Sequence, residues 1–194
     1  IGTFNALLSI ARADAGERRA EWEVLDLSAL LADVYELFEP LADENGIGLA
    51  VETNGKCLVT GSRQLLSQAL ANLVDNAIKY SHDGGHVIMS CGVRSGSTRA
   101  ERIPWLSVSD NGPGIPAGMR DKVLERFVRL APERSTPGNG LGLSLVKAVA
   151  RLHEAEMLIE DASRETPPGL RITLLFQTQP HNGNPASGAA SLSQ

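Results

Sequence analysis

Apolar residues recur at two different periods along this chain, and the switches between them divide it into elements. Leu30, Leu31, Val34, Phe38 and Leu41 follow helical spacing. Asp26 stands where a cap belongs and Gly46 where such a helix stops. A second helix is predicted from Gly61-Ser62 to about Tyr80, with Ser62 as its N-cap and Leu66, Leu70, Leu73 and Ala77 as its apolar face. A third is predicted from about Leu141 to His153. Strands are predicted around Trp22, Val24 and Leu25, and then at 47–53, 56–60, 86–93, 103–109, 156–161 and 169–177. Asp83-Gly84-Gly85 reads as a turn, and Pro104 suits only a strand start or an edge. A short amphipathic helix is expected near Arg120–Phe127, inside a glycine- and proline-rich stretch. Phe4, Leu7, Leu8 and Ile10 recur at helical spacing, so residues 1–14 read as the end of a helix that begins upstream. Residues 15–21 read as a linker, 22–177 as the main domain and 178–194 as a disordered tail rich in small and polar residues. The mixed order, with hairpin-like late strands, predicts an α+β two-layer sandwich.

Composition narrows the partners. The 194 residues carry a net charge of -5 and no basic run, which argues against a nucleic acid or an anionic membrane surface. No apolar stretch approaches the ~20 residues that span a bilayer. Aromatics make up 4%, so the core must be aliphatic. Cys57 and Cys91 lack metal-site or redox-motif spacing, which fits a reducing cytoplasm.

The second predicted helix carries more than core residues. Asn72 and Asn76 lie four apart and share a face, which Lys79 and Tyr80 extend. Asparagine disfavours helix interiors, so two amides, an ammonium and a phenol in a row suggest a polar ligand face. An amide carbonyl can complete the shell of a magnesium ion already held by phosphates. Lys79 can meet phosphate oxygens, and Tyr80 can lie against a flat ring. An ordinary solvated helix face accounts for the same residues equally well.

Two glycine-rich segments follow. In Asp110-Asn111-Gly112-Pro113-Gly114-Ile115-Pro116, strand alternation puts Asp110 on the apolar side of Leu106 and Val108. A carboxylate there needs donors, and the exocyclic amine of a purine is one. Gly112 and Gly114 allow a close approach of backbone to a ligand. Gly138-Asn139-Gly140-Leu141-Gly142-Leu143-Ser144 opens a helix, where free N–H groups suit phosphate. It is neither the dinucleotide fingerprint nor a Walker loop. Between the two lies Glu125-Arg126-Phe127-Val128-Arg129-Leu130, an apolar residue flanked by cations.

Taken in order, Asn-x-x-x-Asn-x-x-Lys-Tyr, the Asp110 glycine segment, the Phe127 segment and the Gly138 segment resemble the catalytic and ATP-binding domain of bacterial sensor histidine kinases. They correspond to its N box, first glycine box, F box and second glycine box, and the resemblance covers about residues 22–177. It implies a Bergerat fold, a mixed sheet with helices on one face and ATP beneath a flexible lid. It implies ATP and Mg2+ as cofactors, with Asp110 on the adenine amine, Tyr80 near the base and Asn76 on the metal. Lys79 and Arg129 would reach the phosphates. Gly112, Gly114, Ile115, Leu141 and Leu143 would line the nucleotide, and Gly138, Gly140 and Gly142 would shape the lid hinge and the phosphate contact. Phe127 would anchor the lid or touch the phosphoacceptor helices.

In the gyrase, mismatch-repair and heat-shock chaperone ATPases that resemble this chain, a Glu activates water where Asn72 stands here. An amide cannot act as a general base, which favours transfer over hydrolysis. Asn72, Asn76, Lys79 and Arg129 are therefore the expected catalytic set, and a histidine the expected acceptor. None of His82, His86, His153 and His181 has the family's acceptor context. His153, at a helix C-terminus where the dipole favours a cation, reads as structural. The resemblance implies a phosphoacceptor domain elsewhere in the same kinase, a downstream response regulator and a cytoplasmic, monomeric fragment of a homodimeric parent. Whether that parent is anchored in the inner membrane is left open. A nucleotide-sensing scaffold and an anti-sigma-type serine kinase are the alternatives. Val128 replaces a common aromatic, and Glu154-Ala155 replaces a usual Gly-Gly, so that turn must be made differently.

Overall fold

In a computed structural model, the structure describes residues 22–96, 101–125, 127–128 and 140–177. The strands are β1 (Glu23–Asp26), β2 (Gly48–Thr53), β3 (Leu58–Gly61), β4 (His86–Ser95), β5 (Arg102–Asp110), β6 (Ala155–Glu160) and β7 (Leu170–Phe176). The helices are α1 (Leu27–Glu44), α2 (Arg63–Tyr80) and α3 (Gly142–Leu152). Five strands form one mixed sheet in the order β2-β4-β5-β7-β6, and β1 and β3 form a separate antiparallel pair. Only β2 and β4 run parallel; the other neighbours are antiparallel.

The elements form where local chemistry agrees with burial. The Asp26 carboxylate accepts from Ser28 N–H and caps α1, and the Ser62 hydroxyl accepts from Leu65 N–H and caps α2. Leu66, Leu70, Leu73 and Ala77 are all buried, as the spacing predicts. Val87 and Met89 of β4, Leu106 and Val108 of β5, and Ile172 and Leu174 of β7 turn inward beneath the helices. The result is the expected two-layer α+β sandwich with an almost wholly aliphatic core. Pro104 sits in β5 opposite Val93 of β4, just outside the β5–β7 ladder, which starts at Trp105. Its missing N–H therefore costs no hydrogen bond to β7.

Two local expectations fail. Instead of one helix over Arg120–Phe127, there are two 3-10 turns, Ala117–Met119 and Lys122–Leu124. Phe127 takes a φ of 66°, and its N–H donates to Gly140 O at 2.9 Å, which no helix continuing through it permits. His153 is structural but uncharged. Burial holds its pKa below the ordinary imidazole value, Nδ1 donates to Val149 O at 2.8 Å and Nε2 accepts from Ser62 N–H at 3.0 Å. Its ring stacks on Trp22 at 5.0 Å between centroids. The turn after it places Glu154 at φ 52°, so a glutamate occupies the left-handed position that a glycine would take more easily. The expected segments 1–14, 15–21 and 178–194 lie outside the described residues.

Candidate functional site: a nucleotide-binding cleft

Asp110 ends β5 with its side chain among inward-facing apolar residues and is 9% exposed. One carboxylate oxygen, Oδ1, accepts from Gly112 N–H at 2.9 Å and Leu170 N–H at 3.3 Å. Neither bond involves Oδ2. Burial pushes the Asp110 pKa up, and the Gly112 and Leu170 N–H groups and nearby His86 offset only part of that. The site thus presents a desolvated acceptor with one satisfied oxygen.

The glycines around Asp110 serve backbone packing more than expected. A Cβ on Gly112 would stand 2.7 Å from Tyr80 O, and one on Gly114 would stand 2.7 Å from Gly169 O. Gly112 therefore lets the loop pass the C-terminal end of α2 and brings the acidic and N-box segments together. Tyr80 closes that helix half-exposed, at 49%.

Along α2 the two asparagines meet the start of α3. A Cβ on Gly142 would lie 3.1 Å from Asn76 Nδ2 and 3.5 Å from Asn72 Oδ1. The glycine thus lets the N-terminal turn of α3 rest against both amides. Asn72 Nδ2 donates to Gln68 O at 2.8 Å, which turns its Oδ1 toward α3. Among the described residues the Asn76 amide has no hydrogen-bond partner. Lys79 pairs with Asp75 one turn back at 2.5 Å, with both side chains about one-third exposed. Leu141 is buried and Leu143 half-buried, and the Ser144 hydroxyl donates to Leu141 O at 2.9 Å. Gly140 takes φ 64° and packs on the Phe127 backbone, while the Phe127 ring is 64% exposed.

The predicted residues Asn72, Asn76, Gly142, Tyr80, Gly112 and Asp110 therefore form a chain of neighbours from α3 across α2 to the end of β5. Ile115 lies further along the same loop. Arg129 and Gly138 lie outside the described residues. Sequence reasoning missed Leu170 and Gly169, which complete the Asp110 environment from sixty positions away. A Cβ on Gly169 would collide with Asp110 O, and its φ is 67°. The signal was the Pro167-Pro168-Gly169 turn, whose partner the sequence does not name. A separate groove of about 560 Å³ lies on the sheet's other face, floored by Ser90, Ser107, Ser109 and Thr173. It holds none of the motif residues.

The amide pair, the glycine-led helix start and the desolvated carboxylate all lie within residues 61–180, the stretch matched by the model of the histidine kinase-, DNA gyrase B- and HSP90-like ATPase family, and the chain belongs to that family. Within that family it corresponds to the catalytic ATPase domain of sensor histidine kinases. It is 41% identical over 173 residues to the signal transduction histidine-protein kinase/phosphatase MprB of Mycobacterium bovis (strain BCG / Pasteur 1173P2), spanning 88% of this chain and 32% of MprB. The chain thus spans about a third of the length of that curated relative. The solved nucleotide-free catalytic domain of histidine kinase ThkA superposes with a TM-score of 0.67 at 26% identity, covering 81% of this chain and 95% of that one. Full-length ShkA in complex with AMPPNP superposes with a TM-score of 0.73 at 26% identity, covering 90% of this chain and 35% of ShkA. No helix among the described residues is long and apolar enough to cross a membrane.

Proposed function

We propose that this domain passes the γ-phosphoryl group of ATP to a histidine on a phosphoacceptor domain of the same kinase, and that a response regulator receives it in turn. The observation that carries this reading is an amide, Asn72, beside Asn76 and Gly142, where a water-activating base would be needed for hydrolysis. An amide offers no proton acceptor at neutral pH, so the site can hold and orient a nucleotide without activating water. A neutral imidazole already has a lone pair to attack with and needs no base.

The residues present fit Mg-ATP. Asp110 accepts the purine amine through the oxygen its backbone partners leave free, and Tyr80, Gly112, Gly114 and Ile115 flank the ring. The unpartnered Asn76 oxygen suits a hard divalent cation that phosphates already hold. Bound Mg2+ neutralises phosphate charge. Asn72 orients beside it. Lys79 exchanges Asp75 for phosphate oxygens, and Arg129 adds charge from the F-box side. Gly140, Leu141, Gly142 and Leu143, at the start of α3, meet the phosphates, with Gly138 contributing to the same contact, and the exposed Phe127 faces the lid or the acceptor helices. Catalysis here is positioning and electrostatics rather than covalent chemistry. The domain works in the cytoplasm as a monomeric fragment of a dimeric parent. Incubating the chain with radiolabelled Mg-ATP and the parent's two-helix phosphoacceptor module tests the proposal. Acid-labile, base-stable label on that module is the expected result. Acid-stable label on a serine, or no label with intact nucleotide binding, would refute it.

A further inference from the structure

Arg120 belongs to none of the motifs above, yet its guanidinium joins two distant segments. Nε donates to Ile115 O at 3.1 Å, Nη1 donates to Ile159 O at 3.2 Å, and Nη2 pairs with Asp161 at 2.5 Å. Ile159 lies on β6, the edge strand of the sheet, with β7 on one side only. Arg120 therefore caps a carbonyl on that edge strand while it holds the loop that follows Asp110. The guanidinium is planar and its donors are fixed relative to one another, so three simultaneous bonds lock Ile115 against the sheet. The side chain is 21% exposed, more sheltered than an ordinary surface ion pair. The near end of the same loop is held separately: Gly169 N–H donates to Gly112 O at 3.1 Å, and Gly114 packs on Gly169 O. Residues 112–115 are thus braced at both ends, by the approach to β7 and by Arg120.

We propose that Arg120 is a positioning residue for the base end of the nucleotide cleft. It touches no ligand; it fixes the Gly112–Ile115 backbone in the shape that receives the purine ring. This rests on the nucleotide reading above. Lysine cannot reproduce it, because one ammonium on a flexible stem lacks the fixed fork of donors that serves three separate partners.

The test compares the unaltered chain with Arg120→Ala, Arg120→Lys and Asp161→Asn. Adenosine binding is followed by ligand-observed NMR, and ADP and ATP binding with magnesium by calorimetry. Arg120→Ala is expected to weaken all three ligands by a common factor of about ten, the scale of one charge-assisted hydrogen bond. Arg120→Lys should recover only part of the loss, and Asp161→Asn should show a smaller loss of the same pattern. Circular dichroism and melting establish folding. Where Arg120→Ala does not fold, Arg120→Lys carries the comparison, since it keeps a cation beside Asp161 but lacks the fork that serves both carbonyls. Folded variants that bind all three ligands like the unaltered chain overturn the proposal. A loss confined to ATP also overturns it, because that would put Arg120 at the phosphates. If the unaltered chain binds no nucleotide, the functional reading fails first and the positioning role falls with it.

Discussion

Replacing Asp110 by asparagine separates what the carboxylate does for the fold from what it does for the ligand. Asn keeps an oxygen that can accept from Gly112 and Leu170 N–H, which now bond Oδ1 at 2.9 and 3.3 Å. It puts an NH2 group where Oδ2 stood, facing the donor amine of the purine. The lost bond is to a charged acceptor, on the order of 1.5–3 kcal/mol. That corresponds to about a 10- to 150-fold rise in the dissociation constant for ADP. The fold should not suffer. Burial raises the Asp110 pKa, so the folded state holds this proton more tightly than the unfolded chain. Ionising the group between its unfolded and folded pKa values therefore subtracts stability as pH rises, and the neutral amide avoids that cost. The variant should melt at or above the unaltered temperature at pH 7 while binding ADP far more weakly. Titration calorimetry and thermal melting on the same samples read both. For the unaltered chain, ADP affinity should fall with acid at a higher pH than for an ordinary aspartate. Equal ADP affinity in Asp110→Asn, or a clear loss of melting temperature with affinity unchanged, would refute the assignment of this oxygen to the purine.

Three further expectations follow from the packing. Gly142→Ala adds a methyl 3.1 Å from Asn76 Nδ2 at the first residue of α3, so the amide must shift; Mg-ATP affinity should drop while the change in melting stays within that of about 1 kcal/mol. Gly169→Ala is strained at φ 67° and meets Asp110 O, so it should cost about 3 kcal/mol or more in chemical denaturation, with nucleotide binding lost alongside. His153 is held neutral with its pKa lowered, so the unfolded chain binds the proton more readily; stability should be complete above about pH 6.5 and decline as pH falls below it. Melting between pH 8 and pH 5 checks this, and His153→Gln should flatten that decline.

Helices and strands were legible because each is written locally. Asp26 and Ser62 cap, Gly46 and Gly84 turn at positive φ, and the inward residues keep strict periods. The motif residues were legible as a set because Asn72, Asn76 and Asp110 are polar at positions where burial needs a reason. What remained hidden depends on contacts between distant positions. Nothing near Arg120 announces Ile159 and Asp161, about forty positions on, and its bonds to them and to Ile115 go with 3-10 turns in place of the regular helix expected there. His153 looked like a cation at a helix end, but Ser62 N–H needs an acceptor and burial disfavours charge, so the neutral ring wins. Glu154 takes its left-handed backbone in the tight turn between α3 and β6, where its N–H donates to Arg151 O at 3.1 Å.

The stack of Trp22 on His153 has a use beyond stability. It puts one of only two indoles in the chain at the threshold where the polypeptide enters this domain. Its emission senses the aromatic neighbour directly, so the opening of this corner of the domain during unfolding can be watched by light, without any attached dye.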